Sequence, residues 1–292
     1  MEQHRKQKAG MILSMIIFGT LAPFVRGIDL PSGELALYRA VLALLLIGIY
    51  LFVTKQKPVF NQIRRELLLL LVSGIAIGIN WILLFEAYKY TTVSVATLSY
   101  YFAPVIVMVL SPILFREKMT AKQLLCFGMS TLGLVLITGV GDLGQGKDHL
   151  IGIGFGVGAA VFYAGVMLLN KYIKGVDGIW RTFCQFSAAA VTLLPYVLLT
   201  EGVHISTLDA KGWILLLIVG FVHTGVTYCM YFSAVRELPG QKTAILSYID
   251  PLTAIVISVV ILNERLNLWQ AVGGLLILGF TVWNDVSQKE CV

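Results

Sequence analysis

Few residues of this chain are equipped for chemistry, and most of them stand in apolar surroundings. Asp250 interrupts the run Ser247-Tyr248-Ile249-Asp250-Pro251. A carboxylate in hydrocarbon costs roughly several kcal/mol unless it is paired or hydrated, so it marks a pathway by default. Two functional roles fit: holding an ammonium group, or carrying a proton. A structural hydrogen bond at a proline kink is the third possibility. His223, whose imidazole titrates near neutrality, is a second candidate for proton coupling, with a structural role as its alternative. Polar and aromatic residues recur at helical spacing beside them. Thr243, Ser247 and Asp250 share a stripe with Tyr248 adjacent; Thr97, Tyr101 and Pro104 share another; His223, Thr227 and Tyr231 a third. With Asn80, Trp81, Tyr100 and Tyr163 they describe an aromatic cavity with a few polar groups, the usual form of a small-molecule site. The opposing reading makes each a helix–helix hydrogen bond worth about 0.6 kcal/mol. Arg39 and Glu86 lie at similar depth in neighbouring runs and are expected to form a structural ion pair, with Arg39 bonded to carbonyls as the alternative.

Other chemistries are excluded by spacing. Gly141-Asp142-Leu143-Gly144-Gln145-Gly146-Lys147 imitates a phosphate loop, but Asp148 stands where Ser or Thr is required. Gly154-Phe155-Gly156-Val157-Gly158-Ala159 has dinucleotide-like spacing inside an apolar run, where glycines allow close helix contact. There is no GxSxG, no catalytic constellation and no His/Cys spacing for a metal, and no cofactor is expected. Cys126, Cys184 and Cys229 lie in apolar runs and Cys291 beside the C-terminus, which is no disulfide framework.

The elements that must position these residues are membrane helices. Of 292 residues, 58% are apolar and 13% charged, against about 25% charged in a soluble domain. A helix crossing about 30 Å of hydrocarbon needs about 20 apolar residues. Ten such runs are read: 9–27, 32–53, 67–88, 92–115, 121–140, 150–171, 179–200, 212–235, 240–262 and 268–285. The connectors are too short for a soluble domain, and the first run reads as a span rather than a cleavable leader because apolar runs continue after it. Sixteen Lys and Arg fall on one side of this topology and five on the other, with Arg39 inside a span. The positive-inside bias places both termini in the cytoplasm. The net charge of +6 is therefore read as topology, not nucleic-acid binding.

The chain also repeats itself. At an offset of 147 residues Phe85-Glu86-Ala87 meets Phe232-Ser233-Ala234, Pro104 meets Pro251, Glu117 meets Glu264 and Gln123 meets Gln270. Matching Leu and Val would follow from apolarity alone; matching Pro, Glu and Gln would not. A unit of five spans is odd, so the second copy enters the bilayer inverted, the architecture of many secondary transporters. The fold expected is an all-α membrane protein of ten transmembrane helices in two inverted five-helix repeats. The first repeat takes residues 1–140, a connector 141–149 and the second repeat 150–292. Pro104 and Pro251, both near midplane, are expected to kink their helices and to shape or gate the site.

Ser99-Tyr100-Tyr101-Phe102-Ala103-Pro104 followed by Phe115-Arg116-Glu117-Lys118-Met119-Thr120 resembles the EamA-type domain of the drug/metabolite transporter superfamily. Asp250-Pro251 followed by Asn263-Glu264-Arg265-Leu266 is the second copy. Phe18-Gly19-Thr20 departs from the Trp-Gly-Ser or Trp-Gly-Thr usual in the first span. The resemblance implies an inner-membrane (plasma-membrane), multi-pass carrier, and export of amino acids or other small metabolites. The resulting expectation is a secondary carrier, not an enzyme, moving an amino-acid-like or amine-bearing metabolite. Its partners would be that substrate, the lipid bilayer and a second copy of the chain in a homodimer, but no nucleic acid. A lipid flippase, a membrane enzyme, and a channel or receptor stand as alternatives.

Overall fold

A computed structural model describes residues 2–56, 58, 60–115, 121–139, 146–176, 178–237, 246–247 and 249–287. Among them there is no strand. Helices α1 (Glu2–Gly19) and α2 (Leu21–Arg26) are divided at Thr20, whose hydroxyl donates to the Ile17 carbonyl at 2.8 Å. α3 (Ser32–Val53) follows, and then α4 (Phe60–Tyr90), whose 31 residues extend about 46 Å. α5 (Val93–Tyr100) begins at Thr92, which caps it by accepting from the Val95 N–H. α6 (Ala103–Phe115), α7 (Ala121–Gly139), α8 (Gly146–Tyr172) and α9 (Gly178–Tyr196) complete the next stretch. α9 continues as a π-helix to Glu201. α10 (Ala210–Leu217), capped by Asp209 on the Gly212 N–H, passes through a π-helical segment, Ile218–Val226, into α11 (Thr227–Glu237). α12 (Ile249–Val260) and α13 (Leu268–Ser287) close the described chain. Asn267 caps α13 reciprocally, accepting from the Gln270 N–H at 2.7 Å while Gln270 accepts from the Asn267 N–H at 3.1 Å.

Among the described residues six stretches are long and apolar enough to cross a bilayer: Lys6–Arg26, Ser32–Val53, Phe60–Tyr90, Lys147–Tyr172, Gly178–Glu201 and Ala210–Tyr231. The runs expected as the fourth, fifth, ninth and tenth spans contain shorter apolar helices. The fourth is short for a physical reason: the helix breaks at Tyr101-Phe102 before α6 begins. Large apolar side chains such as Phe52, Leu68, Val191 and Leu199 are at least 73% exposed, so the bundle's outer surface is matched to lipid, not water. The molecule is a multi-pass, all-helical membrane protein.

The main core lies where α3 meets α4, α9 and the Ile218–Val226 segment. Ala36, Ala40 and Ala43 of α3 are fully buried there, and their small size lets the backbones approach. The helices pair in a regular way. α3 and α9 run antiparallel: Gly33 and Glu34 N–H groups donate to Glu201 at one end, and Gly48 sits beside Phe183 towards the other. α7 and α13 are likewise antiparallel, with Lys122 donating to the Trp283 carbonyl and Gly133 against Gly273. So are the α5–α6 arm and α12, joined by Val93 to Glu264 and by Tyr101 to Asp250. Crosswise, α4 lies along α8, as α11 lies along α1. In the first pair Asn80 donates to the Ala159 carbonyl; in the second Ser14 donates to the Thr227 carbonyl.

Candidate functional site

The break in the fourth expected span sets the geometry of the site. Tyr101 N–H still bonds the Thr97 carbonyl at 2.9 Å, and Phe102 N–H the Ser99 carbonyl at 3.2 Å. The chain then restarts as α6, with Pro104 as its second residue. Proline is tolerated in a first turn because its missing N–H would have no partner there. Pro251 occupies the first turn of α12 in the same manner and is buried. The two prolines thus stand at helix starts, where kinks were expected.

Across this junction Tyr101 Oη donates to Asp250 Oδ2 at 2.5 Å. The end of α1 closes the same corner: a β-carbon on Gly19 would lie 2.5 Å from the Asp250 carbonyl and 2.6 Å from Thr253 Cβ, so only glycine fits. Asp250, Tyr100, Tyr101 and Tyr228 are half-buried, and Tyr163 is 38% exposed. The aromatic rings form two groups. Tyr100 lies 5.2 Å from Tyr163 and 5.8 Å from Tyr101, and Tyr228 lies 5.1 Å from Phe18 and 5.2 Å from Phe186. Tyr88, Tyr100, Tyr101, Tyr163 and Tyr228 are all within electrostatic reach of Asp250. A carboxylate facing aromatic rings and phenol hydroxyls suits an ammonium group, through charge and cation–π attraction.

Arg39 occupies the other flank. Its Nε donates to Thr224 Oγ1 at 2.7 Å, and its guanidinium carbon stands 4.6 Å from the Trp81 ring centre and 5.6 Å from that of Phe85. Thr224 is positioned by the π-helical segment, with its hydroxyl on the Val219 carbonyl five residues back. The expected ion pair between Arg39 and Glu86 does not form. Glu86 accepts from Lys89, one turn along its own helix, at 2.9 Å, and Arg39 is taken by Thr224 and the rings.

The other expected site residues divide. Asn80 is 3% exposed and bonds the Ala159 carbonyl at 2.7 Å, joining two helices. Trp81, 4% exposed, underlies Arg39 and meets Phe186 at 5.1 Å. His223 is 2% exposed, with Nε2 3.0 Å from Thr20 Oγ1, Nδ1 3.4 Å from the Ile218 carbonyl, and Phe24 4.7 Å from its ring. Tyr248 and Thr243 lie outside the described residues, as does Glu117. Tyr88, Tyr228, Phe18 and Thr224 join the site without having been expected there. Phe18 and Tyr228 carried a signal, standing in or beside polar positions of apolar runs; Thr224 and Tyr88 carried none. Among the described residues no three His, Cys, Asp or Glu side chains gather as a metal site.

A cleft of about 850 Å³ opens at the end of the bundle where α3 begins, and Leu35, Phe85 and Tyr88 line its inner part. Beside it an ionic latch joins three segments. Arg26 donates to the Tyr88 carbonyl at 3.0 Å and the Thr91 carbonyl at 2.6 Å, and pairs with Glu264. Glu264 in turn accepts from the Val93 N–H at 2.9 Å and from Ser258. The cation that Glu264 pairs with and the helix it caps both come from distant parts of the chain.

The family model of EamA-like transporters matches residues 9–139 and again 150–284. An uncharacterized transporter of Bacillus subtilis (strain 168), YxxF, is 31% identical over 91% of this chain and 85% of its own length. An uncharacterized transporter of Archaeoglobus fulgidus is 28% identical over 94% of both chains, and protein PecM of Dickeya dadantii is 24% identical over 90% of this chain and 88% of its own. One solved crystal structure shares the fold, with a TM-score of 0.63 over 97% of this chain and 99% of its own at 15% identity. A polytopic helical bundle and a family match across nearly the whole length agree: the chain belongs to the EamA-like transporter family.

Proposed function

We propose that the protein is a ten-span secondary carrier of two inverted five-helix units, residues 1–140 and 150–292 joined by 141–149. It moves a small amine-bearing or amino-acid-like metabolite across the cytoplasmic membrane by alternating access, with both termini in the cytoplasm. The antiparallel course of α3 against α9, of α7 against α13 and of the α5–α6 arm against α12 supports the inversion, because each pair joins helices of equal rank in the two units. Two units related in this way can exchange conformations, opening the centre to either side in turn. The outward direction is carried by the family resemblance alone.

The observation that carries the reading is Asp250, half-buried and held by Tyr101 at facing helix starts. In the transport cycle a cationic substrate entering from the cytoplasm displaces the proton of Asp250 to that side. After reorientation a proton from the far side neutralises the carboxylate and releases the substrate. One cation leaves for each proton entering. His223 has both ring nitrogens engaged and holds Thr20 against the π-helical segment. Purified protein in liposomes should couple amine or amino-acid gradients to proton flux, and Asp250→Asn should abolish that flux; an unchanged flux in this variant would reject the assignment.

A further inference from the structure

The segment between the end of α9 and α10, residues 202–209, is strapped to the start of α3 by two carboxylates that transport at Asp250 leaves unused. Glu201, the last residue of the π-helix, accepts from the Gly33 N–H at 3.1 Å and from the Glu34 N–H at 2.8 Å. Glycine at position 33 permits this approach, since a β-carbon there would lie 2.7 Å from a Glu201 carboxylate oxygen. Glu34 answers across the same junction. Its side chain is fully buried, and its two oxygens accept from the His204 N–H at 2.8 and 2.9 Å. One of them also stands 3.2 Å from His204 Nδ1. Between Glu201 and His204, Gly202 turns the chain out of the π-helix at a φ of 81°, a conformation that side chains rarely adopt.

Two carboxylates thus meet at one helix start, and among the described residues neither pairs with Lys or Arg. The dipole of α3 offsets only about half a charge. The groups facing His204 are Glu34, with Tyr38 beside it on α3, and Glu201, with Tyr196 at the end of α9; Arg26, Asp29 and Lys89 share its cleft. Arg26 is taken by Glu264 and Lys89 by Glu86, so His204 is placed to supply the missing positive charge. Its ring is 46% exposed and, with Thr207, lines the cleft of about 850 Å³, where water can deliver a proton. A neutral imidazole bonded to a carboxylate through Nδ1 carries its hydrogen there and leaves Nε2 bare. A proton on Nε2 keeps that bond and adds a charge beside a carboxylate shut away from water. Imidazoles make this change between about pH 5 and 8.

We propose that Glu34 and His204 form a proton site, a clasp that seats the 202–209 strap tightly against α3 in acid and loosens it towards alkaline pH. The Glu201 cap and the His204 N–H bond to Glu34 persist in both states, so the strap shifts its seating without detaching. His204 and Thr207 are part of the cleft wall, and the pH of the compartment that the cleft faces therefore sets how open it stands. In the topology proposed above that compartment is the outer one.

The test places a nitroxide on the exposed Ser206 of the strap, through Ser206→Cys in the full chain with the native cysteines replaced. Its mobile fraction is read in liposomes at about pH 5.5 and about pH 8, either side of the imidazole transition. With His204 in place the mobile fraction should be about 3- to 5-fold larger at the higher pH, the scale of a partly exposed ion pair. His204→Gln, which keeps the backbone bond to Glu34 but takes up no proton, should show the larger fraction at both values. A fraction that stays constant with His204 in place, or that grows in acid, overturns the clasp and needs no His204 variant to fold. A folded His204→Gln protein that still responds to pH overturns it as well, because another group then carries the response. No solute moves in this measurement, so liposomes that fail to transport would remove the carrier reading and leave the clasp standing.

Discussion

Replacing Glu264 by glutamine tests whether the Arg26–Glu264 bridge holds one entrance closed. The amide still accepts from the Val93 N–H and from Ser258, so the cap of α5 survives, but the charge facing Arg26 is lost. The magnitude follows from exposure. The Glu264 side chain is 11% and that of Arg26 31% accessible. This lies between an exposed pair, worth about 0.2–1 kcal/mol, and a buried one whose disruption costs about 3–5 kcal/mol. About 1–2 kcal/mol is expected, which shifts a two-state opening equilibrium about 5–30-fold. Spin labels at Asp29 and Arg265, in a background with the native cysteines replaced, report the separation across the latch. Glu264→Gln should enlarge the population with the longer distance, and Arg26→Gln, which also loses the bonds to the Tyr88 and Thr91 carbonyls, should enlarge it at least as much. The double variant should match Arg26→Gln, because the bridge is lost once. An unchanged distance distribution in Glu264→Gln would refute the latch and leave Glu264 as a helix cap only.

Gly19→Ala should destabilise the protein by about 1–3 kcal/mol in thermal unfolding, since its β-carbon meets the Asp250 carbonyl and Thr253; the same melting temperature as wild type would contradict the close approach. Tyr101→Phe removes the donor to Asp250 and should slow transport about 10–100-fold in counterflow with little change in stability, as expected for a bond to a charged group of about 1.5–3 kcal/mol. Asn267→Ala breaks the reciprocal cap of α13 and should cost about 1 kcal/mol in unfolding without altering transport.

Much of the architecture could be read from the chain because lipid imposes length and apolarity on every crossing element. The paired prolines and the charge of Asp250 were visible because each is out of place in hydrocarbon, and the structure puts both at helix starts beside Tyr101. What was hidden depends on which face a helix turns inward. Asn80 and Tyr88 lie on one helix, yet Asn80 is spent on the Ala159 carbonyl whereas Tyr88 joins the tyrosine group. The stripe of His223, Thr227 and Tyr231 assumed a regular helix. The π-helical segment rotates it, turning the Thr227 hydroxyl back to the Val222 carbonyl and leaving Tyr228 at the site. The partner of Arg39 was misread because depth alone suggested Glu86, while Lys89 stood three residues from it with the opposite charge.

The carrier account is tested most directly by counterflow. Liposomes loaded with unlabelled amino acid and placed in a trace of labelled solute should accumulate the label transiently above equilibrium, and Asp250→Asn liposomes should not. Label that only equilibrates in wild-type liposomes, with no overshoot, would describe a channel and contradict alternating access.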